Sequence, residues 1–326
     1  MKNMKKTYAA AIIGAGRIGA GFDAPLSRRV LTYAHAFKKN ARTSLLGFVD
    51  TDATRAEREA NRWKTRAVQR LEDLCAGRPP DIIVIATPDD THEALLLQAL
   101  SLKPRIIVCE KPIAQSINAA SLLREKITET NIPVIVNFSR RFDPTVRRIR
   151  RELIEGMYGE IISASCIYVR GTIHNGSHFI DLARSFFGEL RMYAMQSCVE
   201  DYSASDPTVG GYLSFERCDP FYLIPGDGGA FSMAEFDILT EKGRIRFSEE
   251  GQYVTLQQAV DDPVWKGFRA LGRPRTKKTQ LLKSMTYLIR HVVAVLDGTE
   301  QPESTALEAL DTNDVCVRLV ESLKER

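Results

Sequence analysis

The feature that most constrains this chain is Tyr8–Gly19, YAAAIIGAGRIG, a short apolar run ending in Gly14-x-Gly16-x-x-Gly19. The run reads as a buried strand, and the glycines as a tight turn opening a helix. In that arrangement backbone amides and a helix N-terminus can approach a pyrophosphate. A second apolar run, LLGFVD, ends in Asp50, where a carboxylate would meet a dinucleotide's ribose. Asp50 lies further along than the usual ~20 residues of this fingerprint. The excess fits an insertion around Phe22–Arg29, which carries Pro25 and a charge cluster.

A chain of 326 residues suits two domains better than one. The net charge of +4 is too small to argue for a nucleic-acid partner. Nothing resembles the ~18 continuous apolar residues of a membrane span. The N-terminal MKNMKK mimics a secretory leader, but the apolar run after it breaks at Gly14 and is better read as the first strand. Cys75, Cys109, Cys166, Cys198, Cys218 and Cys316 include no C-x-x-C pair. They read as reduced, mostly structural thiols of a cytoplasmic protein.

Up to about Val136, apolar segments near Ala10–Gly14, Leu45–Asp50, Asp81–Thr87, Arg105–Glu110 and Pro133–Asn137 alternate with helical patterns, clearest at Thr91–Leu102 and Ser116–Thr128. Alternation of this kind implies a parallel sheet with right-handed crossovers, and ligands then sit beyond the carboxyl ends of the strands. After Pro144 the pattern changes. A helix over Pro144–Glu155, a strand over Ile161–Arg170 and a helix from Gly176 to Phe187 precede several successive strand-like segments. Strands without helical spacers imply an antiparallel sheet. The fold class expected is therefore α/β: an N-terminal Rossmann-type parallel sheet over residues 1–137, then a C-terminal α/β domain with a mostly antiparallel open sheet over residues 138–326.

Val264–Thr279 carries six basic residues and no acid, and reads as a solvated loop, with a phosphate-bearing substrate or a neighbouring subunit as the alternative use. Leu281, Met285, Leu288, Val292 and Val295 form one helical stripe. Thr305 and Glu308 make a capping box for a last helix whose Leu307, Leu310, Leu319 and Leu323 read as core on two surfaces.

Two constellations could carry chemistry. Glu110–Lys111–Pro112 follows the apolar strand RIIVC. Proline holds Lys111 extended at the sheet's ligand edge, where an ammonium could stabilise alkoxide-like charge, with Glu110 steadying it. The other is IHNGSHFID, Ile173–Asp181. Asn175–Gly176 is a turn signal, so His178 falls in the first turn of a helix, with Asp181 one turn later on the same face. The helix dipole disfavours the charged imidazole there, leaving it able to accept a proton. His174, His178 and Asp181 have a spacing that zinc could use. However, the Asn-Gly turn takes His174 off the helix and no fourth ligand is evident, so no metal is assigned. The G-x-S-x-G of a serine hydrolase is absent.

The residues together resemble the Gfo/Idh/MocA oxidoreductases over nearly the whole chain: GAGRIG (14–19), VD ending at Asp50, ATPDDTH (86–92), EKP (110–112), NFSRRFDP (137–144) and GSHFIDLARSFFGE (176–189). The resemblance implies a Rossmann domain followed by a domain whose large sheet forms a homodimer or homotetramer, with the terminal helices packing back on the first domain. It implies hydride transfer between NAD or NADP and a secondary alcohol of a sugar, cyclitol or nucleotide-linked sugar, in carbohydrate metabolism or polysaccharide biosynthesis. No nucleic-acid or membrane partner is implied. Lys111 then matches the catalytic lysine and His178 the active-site histidine. Gly14, Gly16, Arg17, Ile18, Gly19, Asp50, Thr87, Pro88, His92 and Glu110 match the cofactor-binding positions. Lys111, His178, Arg140, Arg170 and Asn175 are the substrate candidates. Many members carry an aspartate where this chain has His174, which could relay a proton, bind substrate or mark a subgroup. Asp50 favours NAD, because a carboxylate repels a 2′-phosphate, although Arg55 stands close by. Two other readings stay open: an enzyme whose tightly held NAD cycles internally, and a non-catalytic NAD-responsive regulator.

Overall fold

A computed structural model describes residues 6–74 and 79–324; Cys75 lies outside the described residues. The chain divides into two compact units. The first ends at Phe142, beyond the boundary expected after Asn137, and takes in Leu282–Asp311; the second comprises Asp143–Leu281 and resumes at Thr312.

The first unit is built on β1 (Tyr8–Ile13), α1 (Tyr33–Lys39), β2 (Thr43–Val49), α2 (Ala53–Trp63), β3 (Arg66–Val68), β4 (Ile82–Ile85), α3 (His92–Ser101), β5 (Ile106–Cys109), α4 (Ile117–Thr130) and β6 (Val134–Val136). Its six strands are all parallel, in the order β3-β2-β1-β4-β5-β6. The order reverses between β1 and β4, the switch point where such sheets bind ligands. Ala10 and Ile12 enter one core layer and Ala11 and Ile13 the other. A strand buried on both faces needs an unbroken apolar run, which is why β1 was legible. The glycines open only a wide five-residue helical turn, Arg17–Gly21, and a loop of irregular backbone intervenes before α1. That loop holds Phe22–Arg29, the segment expected to carry the extra length before Asp50.

The second unit contains α5 (Pro144–Ile154), β7 (Ile161–Tyr168), α6 (Ser177–Phe187), β8 (Leu190–Ser203), β9 (Asp206–Phe215), β10 (Cys218–Pro225), β11 (Glu235–Thr240), β12 (Gly243–Ser248), β13 (Tyr253–Asp261), β14 (Arg269–Leu271) and β15 (Arg275–Lys278). The sheet runs β14-β13-β12-β11-β7-β10-β9-β8, with β15 also on β13. Only β7 and β10 pair in parallel. Phe186, Phe187, Phe215, Phe221 and Phe236 form an aromatic cluster between α6 and the sheet. Truncating Phe186 or Phe187 to alanine would cost about 3–5 kcal/mol.

Two helices close the chain, α7 (Ser284–Leu296) and α8 (Ala306–Lys324). On α7, Met285, Leu288 and Val292 enter the first unit's core. On α8, Leu310 belongs to that unit's core and Leu319 and Val320 to the second's. Leu307 is 39% exposed and is not core, contrary to expectation. The capping box forms: Thr305 N–H donates to Glu308 Oε2 at 2.8 Å, and Glu308 N–H to Thr305 Oγ1 at 3.3 Å. Val264–Thr279 is not simply a loop, because β14 and β15 both lie within it and pair with β13. Their pairing is carried by the backbone, so the solvated basic side chains gave no sign of it.

Candidate functional site

Three strand ends meet at the first glycine. Gly14 N–H donates to Val49 O at 2.8 Å, and Ala86 N–H to Ile13 O at 2.8 Å. Gly14 has φ +99°, and a Cβ on it would stand 2.4 Å from Ala86 O. A Cβ on Gly19 would meet Gly14 O at 2.0 Å. These two glycines therefore serve the turn and its packing. Gly16 is different, since nothing lies within 4 Å of a Cβ built there. Its missing side chain leaves open space for a ligand to approach the backbone, which is what a pyrophosphate requires.

That space belongs to a cavity of about 740 Å³, lined among others by Gly14, Gly16, Asp50, Arg55, Thr87 and Pro88. Ile18, Gly19, His92 and Glu110 do not line it, and Arg17 lines a neighbouring cavity. Asp50 is buried at the end of β2. Its Oδ2 accepts from Ala15 N–H at 2.8 Å and Arg55 Nε at 2.9 Å. Oδ1 accepts from Asp52 N–H at 2.9 Å and Arg55 Nη2 at 2.7 Å. Burial pushes the carboxyl up, but the Arg55 guanidinium and the two amides outweigh it and hold Asp50 below the usual carboxylate range. Sequence reasoning noted Arg55 without foreseeing that its fork would close on Asp50.

At the end of β5, Glu110 Oε1 accepts from Tyr33 Oη at 2.8 Å and Asn137 Nδ2 at 2.7 Å. Burial, reinforced by the charge of Glu110, raises the Tyr33 phenol well above its ordinary value, so it remains a donor. Lys111 follows, half-buried, and the Lys111–Pro112 peptide is cis. His92 is fully buried and bridges two turns: Nδ1 lies 2.7 Å from Pro112 O and Nε2 2.9 Å from Thr87 O. It braces the site's backbone and does not line the cavity. Arg141 is buried on Glu308 at 2.7 Å, while Arg140 beside it is half-buried. No local pattern marked Tyr33 as a partner of Glu110.

In the second unit, residues Gly171–Gly176 form a wide helical turn running directly into α6. Asn175–Gly176 is therefore not a break, and His174 is not cast off the helical path. The reason lies elsewhere in the sheet: Asp206 accepts the Ile173 and His174 amides, both at 2.8 Å, and Asn175 Nδ2 donates to Val169 O at 2.7 Å. The His174 ring stacks on Tyr202, with centroids 4.3 Å apart. Arg170 has an exposed side chain, and its amide donates to Asp201 at 2.6 Å. His178 is half-buried in the first turn of α6, and Asp181 is buried one turn on. Among the described residues, no group of three His, Cys, Asp or Glu could hold a metal ion.

Residues 8–138 match the oxidoreductase family with an NAD-binding Rossmann fold, Gfo/Idh/MocA. The match covers the parallel-sheet unit and less than half of the chain. One relative, the inositol 2-dehydrogenase of Rhizobium meliloti (strain 1021), is 30% identical over 150 residues, 46% of this chain and 42% of that protein. The match thus spans less than half of that relative's length. Inositol 2-dehydrogenase 2 of Mycolicibacterium vanbaalenii is 28% identical over 96% of this chain and 92% of its own. Among solved structures, the WlbA dehydrogenase from Bordetella pertussis, in complex with NADH and UDP-GlcNAcA, superposes with a TM-score of 0.78 at 14% identity, over 98% of this chain and 96% of that one. This likeness shows that the chain shares that dehydrogenase's fold over nearly its whole length.

Proposed function

We propose that this chain is a member of the Gfo/Idh/MocA oxidoreductases, an NAD(P)-dependent dehydrogenase acting on a secondary alcohol of a sugar, cyclitol or nucleotide-linked sugar. The observation that carries the reading is the cavity at the sheet's switch point, with bare Gly16 at one wall and Asp50 at another. When bound, the nicotinamide supplies the hydride acceptor or donor. The chain's own residues handle charge and protons: the Lys111 ammonium hydrogen-bonds the substrate oxygen as negative charge develops, and the His178 imidazole takes the hydroxyl proton. Glu110 is steadied by Tyr33 and Asn137, and the backbone carbonyl of Pro112 by His92, so Lys111 sits between two anchored neighbours. Asn175 spends its amide on Val169, leaving its carbonyl oxygen for substrate; Arg140, Arg170 and His174 complete the substrate candidates. The inositol dehydrogenase relatives and the UDP-sugar complex of the structural neighbour support this substrate range.

The outer face of the second sheet carries Met192, Tyr222, Ile224 and Leu239, all at least 40% exposed. An apolar sheet face of this kind suits a second copy of the chain, giving a homodimer or homotetramer; a monomer by light scattering would refute that. Among the described residues no helix is long and apolar enough to cross a membrane. The described cysteines form no disulfide, which supports a cytoplasmic location. The test of activity is a screen of inositols, sugars and nucleotide sugars against the near-ultraviolet absorbance of reduced nicotinamide. Turnover with one class is expected. Protein that carries nicotinamide from purification, yet releases no reduced cofactor with any substrate, would favour the internally cycling enzyme instead.

A further inference from the structure

One cluster of charges at the edge of the dinucleotide cavity is left unexplained by the reading above. Between the glycine turn and α2 lies a second cavity of about 410 Å³, walled by Gly16, Arg17, Arg55, Arg58, Glu59 and Arg62. Arg55 lines this cavity and the larger one alike. Glu59 is buried, and its single carboxylate serves two guanidiniums, Arg58 Nε at 3.0 Å and Arg62 Nη1 at 3.3 Å. Arg55 is shared between Asp50 and the exposed Asp52, whose Oδ2 lies 3.4 Å from Nη1. Four arginines therefore face three carboxylates, Asp50, Asp52 and Glu59, and the cavity keeps a positive excess.

The carboxylate of Asp50 explains why that excess matters. An ionised carboxylate offers about four lone-pair positions. Here all are taken, two by the amides of Ala15 and Asp52 and two by the Arg55 fork. A ribose hydroxyl finds no open acceptor on Asp50 while Arg55 stays. The negative charge that would repel a phosphate is also neutralised in place.

We propose that Arg55 sets the cofactor preference, and that the arginine-walled cavity is an anion subsite for a 2′-phosphate on the adenosine ribose. The inference rests on the dinucleotide reading of the larger cavity and reverses the preference that Asp50 alone would give. Arg55 covers Asp50 and lines both cavities, its Nη1 held only by the 3.4 Å contact with exposed Asp52, and a guanidinium so placed suits the forked pairing with phosphate. Arg17, Arg58 and Arg62 add the surrounding field. The 2′-phosphorylated dinucleotide is then held at least as tightly as the unphosphorylated one.

The test is fluorescence titration of NADH and NADPH on the full chain, with 2′-AMP and 5′-AMP as competitors, for wild type, Arg55→Ala and Arg55→Lys. Wild type is expected to bind NADPH as tightly as NADH or tighter, with 2′-AMP the better competitor. Arg55→Ala should raise the ratio of NADPH to NADH dissociation constants by tenfold or more, because Asp50 becomes open to the ribose and repels the phosphate. Arg55→Lys, which keeps the charge without the fork, should fall between. A ratio unchanged within twofold in Arg55→Ala overturns the proposal while leaving the dinucleotide reading intact. Wild type that binds neither nucleotide removes both.

Discussion

His92 and Pro112 are joined within the first unit, the imidazole Nδ1 lying 2.7 Å from the proline carbonyl oxygen. The same ring reaches Thr87 O with its other nitrogen, at 2.9 Å. One fully buried side chain therefore braces the turn after β4 and the turn that carries Lys111. Replacing His92 with alanine would empty a packed site and remove the ring nitrogen that donates to one of the two carbonyls, costing about 2–4 kcal/mol. Thermal unfolding should show a clear drop, and turnover should fall about tenfold as the Lys111 turn loosens. A variant with normal melting and normal turnover would show that the brace is dispensable.

Lys111 and His178 are assigned different tasks, so their variants should differ in kind. Lys111→Ala should lower kcat at least ~100-fold, the usual cost of losing an oxyanion donor, with dinucleotide affinity nearly intact. His178→Ala should flatten the rise of rate with pH in the oxidative direction. Near-normal turnover in the first variant removes Lys111 from the chemistry. An unchanged pH profile in the second passes the base role to another group, with His174 the first to try.

The capping box offers a separate check on stability. Burial raises the Glu308 carboxyl, but the Arg141 charge and the Thr305 amide outweigh it and hold the folded-state value below the ordinary one. Its stabilisation is therefore present in full above the unfolded carboxylate range and is lost as pH falls through the depressed folded value. The Glu308 side chain is 42% exposed, so solvent screening limits the effect. Glu308→Gln should cost about 1 kcal/mol near neutral pH and almost nothing at strongly acid pH. An equal deficit at both, measured by denaturant unfolding, would contradict this account.

Much of the frame was legible because it is written in local patterns. β1, β4 and β5 are unbroken apolar runs since both faces of each are buried, and Thr305 stands as a helix cap where the pattern places it. What escaped was held together by distant residues. The turn at Asn175 continues as helix because Asp206, on β9, takes the amides of Ile173 and His174. β14 and β15 pair through backbone groups that carry no side-chain signature. Asp50 could be picked out as the acid after β2, but its saturation by Arg55 depends on a rotamer at the start of α2. The part of Tyr33 in holding Glu110 spans 77 residues, and nothing near Tyr33 in the chain announces it.

The most direct measurement concerns Gly16. Its φ of −72° suits any residue, and a Cβ there meets nothing within 4 Å. Gly16→Leu should therefore fold normally, with stability within about 0.5 kcal/mol of wild type, while its side chain fills the approach to the backbone amides. NADH and NADPH titrations of this variant should show affinity reduced at least ~100-fold, the loss of about 2.7 kcal/mol of binding energy. A well-folded Gly16→Leu that binds both nucleotides within twofold of wild type would contradict the assignment of this cavity to a dinucleotide.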